Sequence, residues 1–339
     1  MGIVVFSDNA KYDLESSGEY TQGAGGGALL VRHNPRLVVI PDRWGVSTTP
    51  VHDFFKPRRE VSIQSVIDHV LQLAAEAGAT IRDGMAEAMI KHLPESTVRR
   101  LGIFAHGEEN VKVHRDEPVF DGQFSNACYV DRMQEAFVHF QQNKKTDFLN
   151  EWSHIIFHLP YAFHGRRMIF NNWLNWIKND ITYKDLLAEI GQENDELFIK
   201  KAYKSNIYKN FITSKIAPGE KASSHIGNMY SASVFMSLLS MLNYHFDNDN
   251  EIKNQKVGFI SYGSGSKAKI FQGEIEANWK ERIKTSKLFE SLNKRKEISF
   301  DEYQDLHKSK KISPLSNHSI RFSHTDDSTN SKGYRRYKI

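Results

Sequence analysis

Short apolar runs that end in polar turns constrain the fold of this chain more than any other sequence feature. Such runs occur at residues 3–6, 155–157 and 257–261. Unbroken apolar runs of this length are typical of interior strands that are buried on both faces of a parallel or mixed sheet. Apolar positions at helical spacing lie between the runs, for instance at 231–244. The sequence therefore predicts an α/β fold.

Changes in this pattern divide the chain into four predicted segments. They are the first strands, a mostly helical insertion, a second set of strands and helices, and a basic C-terminal extension, at residues 1–59, 60–116, 117–275 and 276–339. The end of the last segment is rich in Ser, Asn and Lys, a composition that buries little apolar surface. We therefore expect it to be poorly ordered.

Individual elements follow inside these segments. The glycine-rich run at 23–31 predicts a second strand, and residues 36–40 predict a third. Helical spacing at 66–77 and 86–93 predicts two helices of the insertion. The pattern at 168–211 is helical and charged, which is typical of a solvated face.

Composition excludes several classes of function. The net charge of +4 comes mostly from residues after 280, and the interior has no basic stripe interleaved with aromatics, so nucleic acid is not an expected partner. No apolar run approaches the roughly 18 residues that span a bilayer. A single cysteine, Cys128, excludes an internal disulfide and a multi-thiolate metal site, as in a reducing compartment. We expect a cytoplasmic protein with no metal, no bound cofactor and no membrane contact.

Three polar features lie where an apolar strand or a small-residue loop leads towards a helix. His158 follows the 155–157 run, Asn228 precedes the 231–244 helix, and a glycine-rich loop at 263–266 follows the 257–261 strand. Strand ends of this kind form the ligand crevice of open α/β sheets. Each feature also has an ordinary structural interpretation, namely a core histidine, a helix N-cap and a turn that binds nothing.

Together the three features fit a carbon–carbon condensing site. Claisen-type condensation of two thioesters creates an enolate oxygen and a tetrahedral oxyanion, which need preorganised hydrogen-bond donors in a dry cavity. His158 and Asn228 could supply two donors, and the backbone around Gly263 and Ser264 another. The nucleophile that such chemistry requires is not among them.

Seven short motifs carry a family resemblance. In order they are DNAKY, GEYTQGAG, HDFFKP, DGQFS, FHLPY, GNMY and SYGSG, at residues 8–12, 18–25, 52–57, 121–125, 157–161, 227–230 and 261–265. In this order they resemble the hydroxymethylglutaryl-CoA synthases, over nearly all of the chain outside the helical insertion and parts of 170–220. The resemblance implies a thiolase-like fold with an incomplete N-terminal half, a complete C-terminal half and a helical insertion. It also implies condensation of acetyl-CoA with acetoacetyl-CoA through an acetyl-cysteine, as in isoprenoid biosynthesis by the mevalonate pathway.

The resemblance also implies roles for individual residues. His158 matches the histidine that orients acetoacetyl-CoA and polarises its ketone, Asn228 the substrate-binding asparagine, and Ser264 a residue of the acyl-pocket loop. By the same resemblance, the other substrate- or CoA-binding candidates are Asp8, Tyr12, Thr21, Asp53, Ser125, Arg167, Tyr230, Tyr262 and Gly263. The substrates are CoA thioesters.

The chain departs from the family pattern at three places. Arg167 stands where a lysine near the CoA phosphates is usual, and its guanidinium can serve as a bidentate clamp. Phe163 stands at another usual lysine. The family's catalytic glutamate and nucleophilic cysteine both precede the strand at 3–6, so we expect them to be missing here. Cys128 is predicted to be a small buried hydrophobe and no substitute.

Three interpretations remain open. The chain could be a synthase whose N-terminal part is lost or lies on another polypeptide, a non-catalytic remnant or partner subunit that still binds an acyl-CoA, or a β-branching synthase that takes its acyl group from a carrier protein. The resemblance also implies a homodimer. The insertion is expected to be a surface decoration, with a cap over the CoA entrance as the alternative.

Overall fold

A computed structural model describes residues 1–56, 58–85, 88, 110–114, 118–143, 145–191, 197–308, 321–325 and 335–338. The strands are β1 (Gly2–Ala10), β2 (Gly23–Val31), β3 (Val38–Val39), β4 (Trp44–Thr48), β5 (Phe54–Phe55), β6 (Arg58–Ser62), β7 (Asn110–His114), β8 (Val119–Phe120), β9 (Trp152–Phe157), β10 (Lys256–Gly263), β11 (Lys267–Ile275), β12 (Arg321–Thr325) and β13 (Arg335–Lys338). The helices are α1 (Ile63–Glu76), α2 (Gly122–Asn143), α3 (Phe148–Glu151), α4 (His164–Met168), α5 (Phe170–Ile177), α6 (Ile181–Ile190), α7 (Phe198–Lys204), α8 (Asn206–Lys215), α9 (Ala217–Glu220), α10 (Ser223–Ile226), α11 (Ser233–Asp247), α12 (Trp279–Ile283), α13 (Leu288–Asn293) and α14 (Phe300–His307). The predicted α/β character is confirmed.

The chain forms two compact units, Met1–Leu288 and Phe289–Ile339. The second unit contains α14, which starts with a capping box between Ser299 and Glu302, and an antiparallel pair of β12 with β13. The four-segment division drawn from the sequence stays a prediction.

A mixed five-stranded sheet organises the first unit. β9 and β10 run parallel, β10 and β11 form an antiparallel hairpin, and β11 pairs with β3 near one end and with β4 near the other. The apolar runs at 155–157 and 257–261 lie in β9 and β10, where almost every side chain is buried. The prediction that these two runs are interior strands is confirmed.

Each face of this sheet carries its own hydrophobic core, because successive side chains of a strand point to opposite faces. Ile155 and Ile260 belong to one core, which α2, α5 and α8 cover with aromatic side chains such as Trp173. Ile156 and Phe259 belong to the other core, covered mainly by α11 and α12. The sheet is therefore sandwiched between two helical layers.

The first apolar run does not have the predicted environment. β1 pairs antiparallel with β2 over nine positions and forms a two-stranded sheet separate from the main one. Ile3 is 68% exposed and Val5 is 74% exposed, although Phe6 stacks on Phe235 and Ala10 is buried. The prediction of a strand buried on both faces is wrong for the described structure. An apolar run records a preference for burial, but burial also needs elements that cover both faces.

The helical predictions are mostly confirmed. α1 matches the first predicted helix of the insertion, whereas the second, at 86–93, lies outside the described residues apart from Ala88. The antiparallel pair of β6 with β7 beside α1 was not predicted. The helix predicted at 231–244 is a short 3₁₀ turn, Tyr230–Ala232, followed by α11. Within the described residues, no helix is long and apolar enough to cross a membrane.

Three further expectations need correction. The glycine-rich segment at 263–266 does not lead into a helix, because it forms the turn of the β10–β11 hairpin, with Gly265 and Ser266 at φ of 86° and 66°. The strand predicted at 36–40 shortens to the two residues of β3. The charged helices at 168–211 are solvated on one side only, because their other side buries residues such as Trp173 and Tyr208.

Candidate active site

A cavity of about 300 Å³ lies in the first unit, beside the carboxyl ends of β9 and β10. Nine of the predicted residues line it, namely Tyr12, Thr21, Ser125, His158, Arg167, Asn228, Tyr230, Tyr262 and Ser264. The three others, Asp8, Asp53 and Gly263, lie behind or beside this lining. Residues that are distant in sequence thus meet where the carboxyl ends of parallel strands usually form a ligand crevice.

His158 lies directly after β9 and is held by its backbone. Its N–H donates to the carbonyl oxygen of Ile260 at 2.8 Å, and its own carbonyl accepts from the Tyr129 hydroxyl at 3.2 Å. Burial lowers the pKa of the imidazole to about 4, and a hydrogen bond with the backbone of Tyr230 acts in the opposite direction. The ring is therefore neutral near pH 7, with one donor and one acceptor nitrogen.

Asn228 is buried and lines the cavity, and a hydrogen bond with the backbone orients its side chain. Its N–H donates to the Thr21 carbonyl at 2.9 Å, and its Oδ1 accepts from the N–H of Tyr230 at 2.8 Å. With the oxygen engaged, the Nδ2 amino group is the part that can donate to a ligand. The residue preceding α11 is Ala232, which provides no side-chain cap, so Asn228 is not the N-cap of that helix.

Gly227 allows the segment that carries Asn228 to lie directly against the backbone of residues 21–22. Its φ is 81°, a left-handed conformation, and a Cβ at this position would lie 2.1 Å from the carbonyl oxygen of Gln22. Only glycine has neither a Cβ nor a penalty for this φ. The glycine thus allows Asn228 to bond to Thr21 and to face the cavity.

Tyr230 has a backbone conformation that is uncommon for a tyrosine. Its φ is 41°, in the left-handed region, which costs a non-glycine residue on the order of 1 kcal/mol and is enriched at functional sites. Its ring meets Phe54 edge-on at 6.1 Å. Burial and the neighbouring Tyr12 raise the pKa of its hydroxyl, so this group remains a hydrogen-bond donor.

Asp53 supports the cavity from behind. Its carboxylate is fully buried and accepts from the Tyr262 hydroxyl at 2.5 Å and from the Gly265 N–H at 2.8 Å. Burial, followed by the bond to Asp53, raises the pKa of Tyr262. Asp53 therefore fixes the hairpin turn that places Ser264 at the cavity.

Asp8 and Gly263 do not line the cavity themselves but contact or adjoin residues that do. A carboxylate oxygen of Asp8 accepts from the N–H of Ser231 at 3.1 Å and from its hydroxyl. This contact holds the 3₁₀ turn that carries Tyr230. Gly263 is the last residue of β10 and pairs with Lys267.

The rim of the cavity carries positive charge from α4. Arg167 is exposed, and its Nη1 donates to the Tyr161 hydroxyl at 2.9 Å. Arg166 is engaged elsewhere, in an ion pair with the buried Glu220 and over the Phe163 ring at 4.4 Å. On α4, Arg167 is therefore the arginine at the cavity.

Tyr129, Tyr161 and His164 are among the lining residues that sequence reasoning missed. The helical pattern places Tyr129 on α2 without indicating which face meets a ligand. His164 had a sequence signal, since it is a second histidine a few residues after the one at the strand end.

Comparison with known proteins identifies the family. The family model described as Hydroxymethylglutaryl-coenzyme A synthase C terminal matches residues 112–332, more than half of the chain. The chain belongs to the hydroxymethylglutaryl-CoA synthase family. A synthase of Haloferax volcanii is 23% identical over 319 residues, covering 90% of this chain and 59% of the relative. A synthase of Enterococcus faecalis is 24% identical over 306 residues, covering 89% of this chain and 56% of the relative. The chain thus spans less than two thirds of the length of these synthases.

Solved structures of hydroxymethylglutaryl-CoA synthases share the fold. "MvaS in complex with 3-hydroxy-3-methylglutaryl coenzyme A" superposes with a TM-score of 0.65 at 22% identity, covering 99% of this chain and 66% of the other. The "Curacin Biosynthetic Pathway HMG Synthase" superposes with a TM-score of 0.59 at 18% identity, covering 90% of this chain and 54% of the other. The predicted thiolase-like fold is confirmed.

Cys128 does not contribute to the lining of this synthase-family cavity. It lies on α2 within the first hydrophobic core, and burial, the largest cause, raises the pKa of its thiol. A buried thiol with a raised pKa is a poor nucleophile. In the part of the chain that the structure describes, no group of three or more His, Cys, Asp or Glu side chains could hold a metal ion.

Proposed function

We propose that this chain carries the acyl-thioester-binding part of a hydroxymethylglutaryl-CoA synthase site, which condenses acetyl-CoA with acetoacetyl-CoA in the mevalonate route to isoprenoids. The observation that carries the proposal is the meeting of His158, Asn228 and the Ser264 turn around one cavity. The family membership supports it. By the same resemblance to the family, we propose that the working unit is a homodimer.

The chemistry assigned to these residues is electrostatic. The neutral His158 contacts the ketone oxygen of the acetoacetyl group, where negative charge develops when the new carbon–carbon bond forms. The Nδ2 group of Asn228 donates to a thioester carbonyl. The backbone around Ser264 supplies a further donor to the acyl group.

The nucleophile is proposed to come from outside these residues. Covalent condensation passes through an acyl-enzyme and needs an accessible thiolate. Cys128 is the single cysteine of the sequence and is buried in the core. We therefore propose that a further segment, on the same or on another polypeptide, supplies the cysteine and the catalytic glutamate. These residues alone are expected to bind a thioester without condensing it.

The CoA-binding role falls on Arg167, Thr21 and Ser125. Arg167 is exposed and can reach a phosphate, while Thr21 and Ser125 are less exposed residues of the same cavity lining. Thr21 also donates from its Oγ1 to the carbonyl of Gly18 at 2.7 Å, which holds it at the cavity wall.

A carrier-protein-dependent synthase is the second candidate. Phe163 replaces a usual lysine, and Arg166 is occupied by Glu220, so α4 offers few cations to the phosphates of free CoA. A carrier protein presents the same pantetheine arm without the adenosine bisphosphate of CoA. A non-catalytic acyl-CoA-binding subunit is the third candidate.

Binding and turnover measurements separate these candidates. Calorimetric titration of the chain with acetoacetyl-CoA and with an acetoacetyl carrier protein should show saturable binding of at least one. Condensation should appear only after addition of an N-terminal synthase segment that contains the cysteine. Binding without turnover in that mixture would favour the non-catalytic subunit. Absence of binding to both thioesters would contradict the proposed function.

A further inference from the structure

Ser233 is a buried serine that connects two of the chain segments around the cavity. It is the first residue of α11, directly after the 3₁₀ turn Tyr230–Ala232, and it is 2% exposed. Its Oγ accepts from the N–H of Leu159 at 2.6 Å and donates to the carbonyl oxygen of the same residue at 3.2 Å. Leu159 is the residue that follows His158. One hydroxyl therefore joins the turn that carries Tyr230 to the segment that carries His158.

Serines of α11 bond to the backbone on both sides of His158. The carbonyl oxygen of Phe157 accepts from the Ser237 hydroxyl at 3.1 Å, and Leu159 bonds to Ser233. The two serines are four positions apart, so they lie on the same face of the helix, and both are buried. A buried backbone N–H or carbonyl without a partner is unfavourable. The two hydroxyls therefore help to determine the path of the chain at the end of β9.

The contact between Ser233 and Leu159 bears on the relative positions of His158 and Asn228. These two cavity residues come from segments that are 70 positions apart in the sequence. Asn228 is oriented by its bond to the N–H of Tyr230, which lies in the turn that Ser233 ends. A displacement of about 1 Å between reacting groups can cost about 10²-fold in rate. A direct bond between the two segments limits such a displacement.

We propose that Ser233 is a positioning residue that holds His158 at the correct distance from Asn228, and its effect on a substrate rests on the proposed function. Ser233 does not itself line the cavity, so it acts through His158. A hydroxyl has one hydrogen and two lone pairs, and it can therefore serve the N–H and the carbonyl of Leu159 at the same time. Removing the hydroxyl leaves both groups without this partner, and the residues around His158 shift until they find others.

The decisive comparison is between Ser233→Ala and Ser240→Ala. Ser240 is a matched control, because it is also buried on α11, and its hydroxyl accepts from the N–H of Ala222 at 3.0 Å and donates to the carbonyl of Pro218 at 2.7 Å. Those partners do not adjoin His158. Both substitutions should lower the melting temperature of the chain, since each leaves two buried backbone groups without their partner.

The affinity for acetoacetyl-CoA relative to CoA tests the effect on the substrate, because the two ligands differ only in the acyl group on the sulfur. Ser233→Ala should reduce this ratio roughly 3- to 10-fold, the range for one weakened hydrogen bond, and Ser240→Ala should leave it unchanged. Ser233→Thr keeps the hydroxyl and should restore the ratio. For a chain that takes its substrate from a carrier protein, the acetoacetyl and holo forms of that protein give the same ratio. A wild-type ratio in Ser233→Ala would overturn the inference.

Nuclear magnetic resonance of the chain with isotope-labelled histidine tests the position of the His158 ring without a ligand. The His158 signal is the one that disappears in His158→Ala. It should shift in Ser233→Ala and stay in place in Ser240→Ala, and a signal that stays in place in both would overturn the inference. A wild-type chain that binds no thioester would overturn the proposed function, whereas a shift confined to Ser233→Ala would still support the positioning of His158.

Discussion

The Tyr262 hydroxyl donates a hydrogen bond to Asp53 at 2.5 Å, although the two residues are 209 positions apart in the sequence. The other carboxylate oxygen of Asp53 accepts from the Gly265 N–H. One buried carboxylate thereby connects the 52–57 motif to the hairpin turn that carries Ser264. The Asp53 side chain therefore helps to define the shape of the cavity.

Asp53→Ala should destabilise the protein and weaken thioester binding. The substitution leaves the Tyr262 hydroxyl and the Gly265 N–H without their acceptor, which should lower the free energy of unfolding by about 1–3 kcal/mol. Urea unfolding and calorimetric titration with CoA would measure both effects. Asp131→Ala, at an exposed position of α2, is the control and should change stability by less than about 0.5 kcal/mol. Equal effects of the two substitutions would contradict this role of Asp53.

His158→Ala should lower kcat by roughly 10²- to 10⁴-fold in a preparation completed with the nucleophile segment, because it removes a positioned group from the reacting carbonyl. Asn228→Ala should lower kcat by a similar factor. The readout is the rate of thioester condensation at saturating substrate. His33→Ala, at an exposed histidine, should leave the rate unchanged. Wild-type rates for both cavity variants would mean that His158 and Asn228 serve only the fold.

Acid should destabilise the protein because buried histidines remain neutral in the folded state. Burial lowers the pKa of His158 to about 4 and those of His154 and His164 to about 3, against about 6.5 in the unfolded chain. Between about pH 6.5 and pH 4 the unfolded chain therefore binds more protons than the folded one. The free energy of unfolding should fall as the pH is lowered through this window, by up to about 1.4 kcal/mol per pH unit for each histidine.

Denaturant unfolding at several pH values between about 4.5 and 7.5 tests this dependence. His164→Phe should reduce the slope, since it removes one of the three groups, and His33→Ala should not. A free energy of unfolding that stays constant down to about pH 4.5 would show that these rings are protonated in the folded protein.

Arg167→Ala should weaken CoA binding in a salt-dependent manner. An exposed arginine attracts a phosphate across water, so dissolved salt screens the attraction. The screening length is about 8 Å at physiological ionic strength and becomes shorter as salt is added. The affinity difference from the wild type should therefore shrink as salt is added. Lys209→Ala, at an exposed position of α8, is the control for a general loss of charge. A salt-independent defect would indicate lost packing, and Tyr161→Phe would then test the contact with Tyr161.

The β1–β2 hairpin should make the chain bind hydrophobic dyes and self-associate. Ile3 and Val5 are largely exposed and project from the same face of β1. Ile3→Thr combined with Val5→Thr should reduce dye binding and association measured by size exclusion, because threonine keeps the strand preference and removes apolar area. Val138→Thr, at an exposed position of α2, should have little effect. A wild-type chain that is monodisperse and binds no dye would contradict this prediction.

Local sequence was sufficient to predict two kinds of element, namely strands that are apolar along most of their length and helices with apolar residues at helical spacing. The runs in β9 and β10 are apolar at nearly every position, so they could be recognised as interior strands without knowing their neighbours. The spacing in α1 and α11 likewise defines a helix by itself. The motif order indicated the family, and nine of the predicted residues line one cavity.

Tertiary structure decided what covers each element and which side chains meet. The run in β1 is as apolar as that in β9, yet it is exposed, because burial depends on elements that other parts of a protein supply. Asp53 was predicted to belong to the pocket, but only the fold shows that it supports the turn from behind. His164 could not be ranked above other histidines by sequence, since its two unpaired nitrogens are a property of its surroundings. Sequence patterns act over a few residues, whereas burial and hydrogen-bond partners depend on residues far away in the chain.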